Sequence, residues 1–127
     1  MDDQRPAAEA RDATVVVATF RRSGLLEVQL DALCLQDTDL DYEIVVVDDA
    51  SGDDTGAVLH RRAATDPRIR VVTMTSNGGP ARARNAGIAA AVGAVVAFTD
   101  DDCAAEPDWL DAIARPILDG TADVVQG

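Results

Sequence analysis

Three consecutive aspartates, Asp100 to Asp102, are the residues of this sequence best suited to chemistry. They follow the apolar run AVVAFT, which predicts a strand with the carboxylates at its carboxyl end. Unit charges about 4 Å apart repel by roughly 4 kcal/mol at an effective dielectric of about 20, and a divalent cation offsets that repulsion. Oxygen ligands suit Mg²⁺ or Mn²⁺. We interpret the triplet as a metal site, in preference to a solvated acidic turn.

A second acidic pair, Asp48-Asp49, follows the apolar run YEIVVV. A carboxylate at a strand end can accept hydrogen bonds from a ribose or a base. A turn in which these carboxylates cap backbone N–H groups is an equal alternative. Arg82 and Arg84 stand near the start of a predicted helix, where the N–H groups and the dipole favour anions, so either side chain can reach a pyrophosphate. Salt bridges with nearby aspartates are the alternative for both arginines.

Hydrophobic periodicity places these residues on strands that alternate with helices. Strands are predicted for Thr14 to Phe20, Tyr42 to Val47, Ile69 to Met74, Ala94 to Thr99 and Ala122 to Val125. Helices are predicted from Gly24 to before Asp37, from Asp53 or Asp54 to Thr65, from Ala81 to Val92, and from Pro107 to Leu118. Short connections predict an α/β fold, a mostly parallel, doubly wound sheet with helices on both faces. Ligands of such sheets bind at the carboxyl ends of the strands, so one acidic crevice is expected there.

The composition excludes several classes of partner and mechanism. The chain carries 11 basic and 23 acidic residues, a net charge of −12, which disfavours nucleic acid and anionic lipid as partners. Every basic residue is an arginine, which excludes Schiff-base chemistry and the phosphate-binding lysine of a P-loop. Aromatic residues make up 3%, too few for platforms that stack single-stranded bases. We therefore expect no nucleic-acid partner.

The sequence also predicts one domain in a reducing compartment. With 47% hydrophobic residues, the 127-residue chain can bury a core over residues 13–127, behind a flexible tail at residues 1–12. Cys34 and Cys103 are too few for a disulfide framework. The apolar stretches are too short for a membrane span, and the N-terminus lacks the regions of a signal peptide. A cytoplasmic chain without membrane contact is expected.

Four stretches of the sequence together resemble a known family. They are VVVATFRR, VVVDDASGDDT, NGGPARARNAGIAAAVGA and FTDDDCAAEPDWL, and they recur in this order between Ala13 and Gly127. The chain resembles the inverting, nucleotide-sugar-dependent glycosyltransferases of family 2, which have the Rossmann-like GT-A fold. The resemblance implies that the chain is the nucleotide-sugar-binding part of such a domain, ending after about the fifth strand.

The resemblance also implies roles for individual residues. Thr19, Phe20 and the backbone of Arg21 are expected to line the nucleotide pocket, Asp49 to bond the base, and Arg84 and Asn85 to lie near the sugar diphosphate. Within the DxD metal site, Asp102 is expected to bind Mn²⁺ or Mg²⁺ directly. Asp100 is expected either to join it there or, with Asp101, to face ribose or sugar hydroxyls.

Three positions depart from the family pattern. Ala18 replaces the usual proline, which relaxes the end of the first strand, and Arg21-Arg22 replaces the commoner Asn-Arg, which alters the contacts to the diphosphate. Cys103 occupies a position that is often another aspartate. Because of this replacement, we expect the residues around the metal ligands to support the ion differently from those of the family pattern.

The family chemistry is direct displacement at the anomeric carbon, with a carboxylate that accepts the proton of the acceptor hydroxyl. The resemblance places this base beyond Gly127, and Asp123 is expected to be a surface residue. The chain is therefore expected to carry the donor and metal half, with a UDP-sugar as the default donor, an unidentified acceptor and little turnover alone. Self-association through an uncovered sheet edge is expected as well.

Two other interpretations of the same residues were weighed. One is a non-catalytic protein, either an isolated nucleotide-binding module or a structural fragment whose fifth strand needs a partner segment. Magnesium-dependent phosphoryl transfer fits less well, because a receiver domain needs a lysine and a DxDx[T/V] phosphatase needs a hydroxyl or valine where Ala104 stands. His60 is expected to be a solvated surface residue, and Trp109 to pack in the core.

Overall fold

A four-stranded parallel sheet organises residues 11–120, the part of the chain that the computed structural model describes. The strands are β1 (Arg11–Thr19), β2 (Tyr42–Asp48), β3 (Ile69–Thr73) and β4 (Gly93–Asp100), and the helices are α1 (Ser23–Cys34), α2 (Thr55–Thr65), α3 (Pro80–Ala90) and α4 (Trp109–Leu118). The strands lie in the order β3-β2-β1-β4, and all pairs are parallel. The predicted alternation is confirmed over these eight elements, whereas the predicted fifth strand, Ala122 to Val125, lies outside the described residues.

Several element boundaries differ from the prediction by one to three residues, and the starts of β1 and α4 are two examples. Strand β1 begins at Arg11, so residues 11 and 12 belong to the sheet and not to the expected tail. The backbone explains this, because Arg11 N–H donates to the carbonyl of Val92 and Asp12 N–H donates to that of Asp41. Helix α4 begins at Trp109, two residues after Pro107, which forms a turn. Residues 1–10 of the expected tail lie outside the described residues.

The sheet separates two hydrophobic layers, as the prediction of helices on both faces requires. Strand β2 is buried at each of its seven positions, as a central parallel strand should be. One face of the sheet packs against α1, α2 and α4 and forms the larger core, whose members include Val15, Val17, Leu26, Leu30, Ile44, Val46, Leu59 and Leu110. On the other face, Val45 and Val47 pack with Ala83 of α3. None of the helices in the described range is long and apolar enough to cross a bilayer.

Helix α3 packs on β1 at a distance that leaves no space for a side chain at Gly87. A Cβ atom there would lie 2.4 Å from Cγ1 of Val16. A Cβ atom at Gly93, where β4 begins, would lie 2.4 Å from the backbone carbon of Ala13. Because these glycines permit such close packing, α3 and β4 both lie directly against β1. The first turn of α3 and Arg84, which follows it, therefore reach the carboxyl end of the sheet.

A buried carboxylate joins the strands at the amino end of the sheet. Glu43 on β2 is fully buried, and its Oε2 accepts hydrogen bonds from the hydroxyl of Thr14 at 2.6 Å and the amide of Val92 at 2.9 Å. Its Oε1 accepts from Nη1 of Arg70 at 2.8 Å, and the same nitrogen donates to the carbonyl of Ala90. This cluster ties β1, β2, β3 and the segment before β4 together, at the end of the sheet opposite the aspartates.

We expect Glu43→Ala to lower the free energy of unfolding by about 3 kcal/mol, because it removes the buried carboxylate that pairs with Arg70 and accepts from Thr14 and Val92. The matched control is Glu27→Ala, which removes a carboxylate paired with the exposed Arg61 and should cost less than about 1 kcal/mol. Urea denaturation of both variants measures the difference. Equal losses in the two variants would contradict the structural role of the buried cluster.

Candidate functional site

The carboxyl ends of β1, β2 and β4 meet at one edge of the sheet, where the acidic crevice was expected. In the strand register, Thr19 pairs with Asp48 and Ala18 pairs with Asp100. A cleft of about 390 Å³ opens at this edge. Its lining includes Thr19, Phe20, Arg22, Asp49, Asn77, Gly79, Arg84, Asp100 and Asp101. The structure thus brings members of both acidic groups, Asp49, Asp100 and Asp101, into a single cleft with Arg84, one of the two candidate arginines.

The three aspartates after β4 face different partners. Asp101 is buried, and its Oδ2 accepts a hydrogen bond from the hydroxyl of Thr19 at 2.8 Å. The Arg22 guanidinium contacts both Asp101, at 3.3 Å, and Asp102, at 3.5 Å. Asp100 and Asp102 are exposed. The triplet therefore presents one carboxylate to the protein and two to solvent.

The exposed pair has the geometry of a cation site. Ligand atoms of Asp100, Asp102 and Cys103 all lie within 4.8 Å of one another. Two carboxylates with open positions beside them fit a hard divalent cation that completes its coordination with substrate oxygens. The thiol of Cys103 lies 3.6 Å from Oδ1 of Asp102, and burial together with the neighbouring carboxylates raises its pKa above the ordinary value. The residues predicted as metal ligands are thus adjacent and fit such an ion.

Asp49 holds the loop that precedes α3. Its buried carboxylate accepts hydrogen bonds from the amides of Gly78 at 3.0 Å and Gly79 at 2.9 Å, and from Nδ2 of Asn77 at 3.0 Å. Asp48 accepts similarly from the amide of Ser51. The capping alternative weighed for this acidic pair is therefore present in the structure, while Asp49 also lines the cleft.

The start of α3 provides the positive side of the cleft. Gly79 has a φ of 88°, a backbone conformation that favours glycine, and it lets the chain turn into the helix at Pro80. Gly79, Pro80 and Arg84 all line the cleft. The unpaired N–H groups of the first helical turn and the Arg84 guanidinium both favour an anion there.

Several of the predicted residues lie outside the cleft lining. Asp102 lies beside the lining residue Asp101, and Arg82 instead donates from Nη1 to Oγ of Ser76 at 3.3 Å. The Arg21 guanidinium lies over the Phe20 ring, and the residue is tied to Ser51: the Arg21 amide donates to Oγ and Nε donates to the carbonyl, both at 2.9 Å. Its neighbour Arg22 lines the cleft instead. Asn85 is exposed on α3 beside Arg84, and His60 is exposed on α2, as expected for a solvated histidine.

Two glutamines that the sequence interpretation missed, Gln29 on α1 and Gln36 just after that helix, hold the acidic loop. The fully buried Gln29 donates from Nε2 to the hydroxyl of Thr99 and to the carbonyl of Asp100, at 3.0 and 2.8 Å. Its Oε1 accepts from the amide of Ala105 at 2.9 Å. Seven residues further along the chain, Gln36 donates to the carbonyl of Glu106 and accepts from the amide of Leu110. A polar residue on the apolar stripe of α1 was the signal for Gln29, because buried polar groups require partners.

A second cavity, of about 630 Å³, adjoins the cleft. It shares Arg84, Thr99 and Asp100 with the cleft and extends to Glu106 and Trp109. Trp109 also packs against the larger core, as predicted. Asp100 and Arg84 therefore stand between two adjoining cavities.

Comparison with known proteins gives a consistent result. The family model described as Glycosyl transferase family 2 matches residues 14–127. The succinoglycan biosynthesis protein ExoO of Rhizobium meliloti (strain 1021) is 37% identical over 121 residues, in an alignment that covers 90% of this chain and 34% of ExoO. The chain thus spans about a third of the length of this curated relative.

Two solved structures are similar in both fold and sequence. The mannosyltransferase PcManGT from Pyrobaculum calidifontis, in complex with GDP-Man and Mn²⁺, has a TM-score of 0.71 and 31% identity, over 84% of this chain and 36% of that chain. S. aureus TarS 1-349 in complex with UDP-GlcNAc has a TM-score of 0.76 and 29% identity, over 85% of this chain and 31% of that chain. These similarities confirm the predicted GT-A fold.

The hydrogen bonds by which Gln29 and Gln36 hold the acidic loop can be tested by hydrogen exchange. We expect Gln29→Met to accelerate exchange of the Ala105 amide about tenfold, because that amide loses an acceptor worth roughly 1.4 kcal/mol. Gln36→Met is the matched control and should accelerate exchange of the Leu110 amide instead. NMR-detected exchange on both variants resolves the two sites. An unchanged exchange rate of the Ala105 amide in Gln29→Met would contradict the proposed role of Gln29 in holding the loop.

Proposed function

The chain belongs to glycosyl transferase family 2, and from this premise we propose that it forms the donor and metal site of a sugar-transferring enzyme. The proposed reaction moves a sugar from a nucleotide-diphospho-sugar to an acceptor hydroxyl with inversion at the anomeric carbon. One observation carries the proposal: the paired carboxylates Asp100 and Asp102, the first turn of α3 and Arg84 all converge on one sheet edge. Residues 13–127 are the proposed donor-binding portion.

The charges of the cleft suit a metal-bound diphosphate. Such a ligand presents a divalent cation and several phosphate oxygens side by side, so its site needs anionic and cationic groups close together. Asp100 and Asp102 supply the anionic groups. Arg22 and Arg84 supply the cationic ones, and the N–H groups of the first turn of α3 add neutral donors for phosphate oxygens. PcManGT, which was solved with GDP-Man and Mn²⁺, supports Mn²⁺ as the ion to test first, and Mg²⁺ stays a prediction.

The nucleoside is proposed to occupy the side of the cleft formed by Thr19, Phe20 and Asp49. Phe20 is 39% exposed, with the Arg21 guanidinium 5.0 Å from its ring centroid. An aromatic ring at the cleft edge can flank a base, and a carboxylate with two oxygens can accept a further hydrogen bond from it. Since TarS was solved with UDP-GlcNAc and PcManGT with GDP-Man, uracil and guanine are the two bases to compare.

The described residues contribute positioning and charge to the proposed mechanism. Asp100 and Asp102 would hold the metal, Asp101 would stay bonded to Thr19, and Arg84 would orient the diphosphate. When bound, the divalent cation supplies charge that stabilises the diphosphate leaving group. We assign the base that deprotonates the acceptor to no residue within 11–120, in keeping with the expectation that it follows the fifth strand.

The proposal predicts metal-dependent nucleotide binding that requires Asp102. In isothermal titration calorimetry, UDP or GDP should bind the chain more tightly with Mn²⁺ than without it. We expect Asp102→Ala to weaken that binding by about tenfold or more, equivalent to roughly 1.4 kcal/mol. The matched control is Asp41→Ala, which removes an exposed carboxylate paired with Arg11 at the amino end of the sheet and should leave binding unchanged. Binding that neither Mn²⁺ nor Asp102→Ala alters would contradict the proposal.

A further inference from the structure

Arg22 occupies the position of a counter-ion to the acidic triplet. Its Nη1 lies 3.3 Å from Oδ1 of Asp101 and 3.5 Å from Oδ2 of Asp102. The same side chain lines the cleft in which the nucleotide is proposed to bind. The singly charged Arg22 guanidinium therefore contacts the carboxylates and also lines the cleft beside them.

Repulsion among the three carboxylates explains why a cation lies there. The side chain of Asp101 is only 7% exposed, so water screens its charge poorly, and Asp102 is the next residue along the chain. The Thr19 hydroxyl satisfies one oxygen of Asp101 but carries no net charge. The Arg22 guanidinium supplies the positive charge that the Thr19 hydroxyl does not carry.

The contacts of Arg22 are loose enough to exchange. Its side chain is 53% exposed, and both of its contacts are longer than the 2.7–2.9 Å usual for a charge-assisted hydrogen bond. Arg21 offers a contrast, because two bonds of 2.9 Å fix it to Ser51. Arg22 is the residue just before α1, and its side chain makes no capping bond to the helix. It is therefore free to change partners without disturbing an element of the fold.

We propose that Arg22 is a placeholder cation. Its guanidinium pairs with the acidic triplet until a metal ion takes its place, and it then pairs with the diphosphate. It neutralises Asp101 and Asp102 while no ion is present, and it withdraws from Asp102 when a divalent cation binds, since like charges on one carboxylate repel. It then pairs with the diphosphate in the same cleft. This inference rests on the proposed function, because it assumes that Asp102 binds the metal and that the cleft binds a nucleotide.

The placeholder has effects of opposite sign on the two ligands. Without nucleotide, Arg22 competes with the metal, so its removal should strengthen metal binding. With nucleotide, Arg22 contributes to diphosphate binding, so its removal should weaken nucleotide binding. A residue that merely supported the fold would weaken both.

The experiment compares Arg22→Ala and Arg22→Gln with the wild-type chain. Electron paramagnetic resonance of free Mn²⁺ measures the affinity for Mn²⁺ alone, and calorimetry measures UDP and GDP binding at saturating Mn²⁺. We expect both variants to bind Mn²⁺ about threefold more tightly and to bind the nucleotide about tenfold more weakly. The matched control is Arg61→Ala, which removes the same charge from an exposed pair with Glu27 and should change neither value.

The outcomes separate this inference from the proposed function. If the wild-type chain binds neither nucleotide in a Mn²⁺-dependent way, the proposed function fails and the inference falls with it. If the wild-type chain does bind, but Arg22→Ala and Arg22→Gln leave Mn²⁺ affinity unchanged or lower it, only the placeholder role is overturned. Circular dichroism melts of the two variants confirm that a loss of folding is not the cause.

Discussion

Repulsion among aspartates at the carboxyl edge of the sheet is the constraint on which this site depends. Asp49 is stabilised by three donors of the loop before α3, and Asp101 by Thr19 and Arg22. Asp48 accepts from the amide of Ser51. These bonds leave Asp100 and Asp102 as the exposed carboxylates of the edge. The protein thus satisfies by hydrogen bonds the acidic groups that position its loops. It leaves exposed the two that a cation can bind, of which Asp102 is also contacted by Arg22.

The rest of the fold holds those carboxylates in place. The Glu43 cluster fixes the strands at the far end of the sheet, so their carboxyl ends stay in register. Gln29 reaches from α1 to both ends of the loop that carries the triplet. Gly87 lets α3 lie against β1, which brings its first turn to the cleft. Each contact joins segments far apart in sequence. Together they fix the position of the loop that carries Asp100 to Asp102 at the edge of the sheet.

Periodicity predicted the elements well because burial repeats along a strand or helix. Four strands, four helices and the sheet edge at which the aspartates meet all follow from that pattern. The hydrogen-bond partners of individual side chains follow no such periodicity. The sequence therefore did not indicate that Asp101 would bond Thr19, or that Arg22 would line the cleft in place of Arg21. Glu43 was equally hidden, because one charged residue in the run YEIVVV does not show that the strand buries it. The fifth strand, Asp123 and self-association through a sheet edge stay predictions.

The central claim is that one edge of the sheet binds the metal and nucleotide together. Paramagnetic broadening by substoichiometric Mn²⁺ in the NMR spectrum of the ¹⁵N-labelled chain, recorded with UDP and separately with GDP, tests it most directly. We predict that the amides of residues 100–103 broaden first and that Gly79 follows once nucleotide is present. The acidic segment of residues 37–41 provides an internal comparison and should stay sharp. Broadening that begins in residues 37–41, or that spreads equally over all acidic surfaces, would contradict the claim.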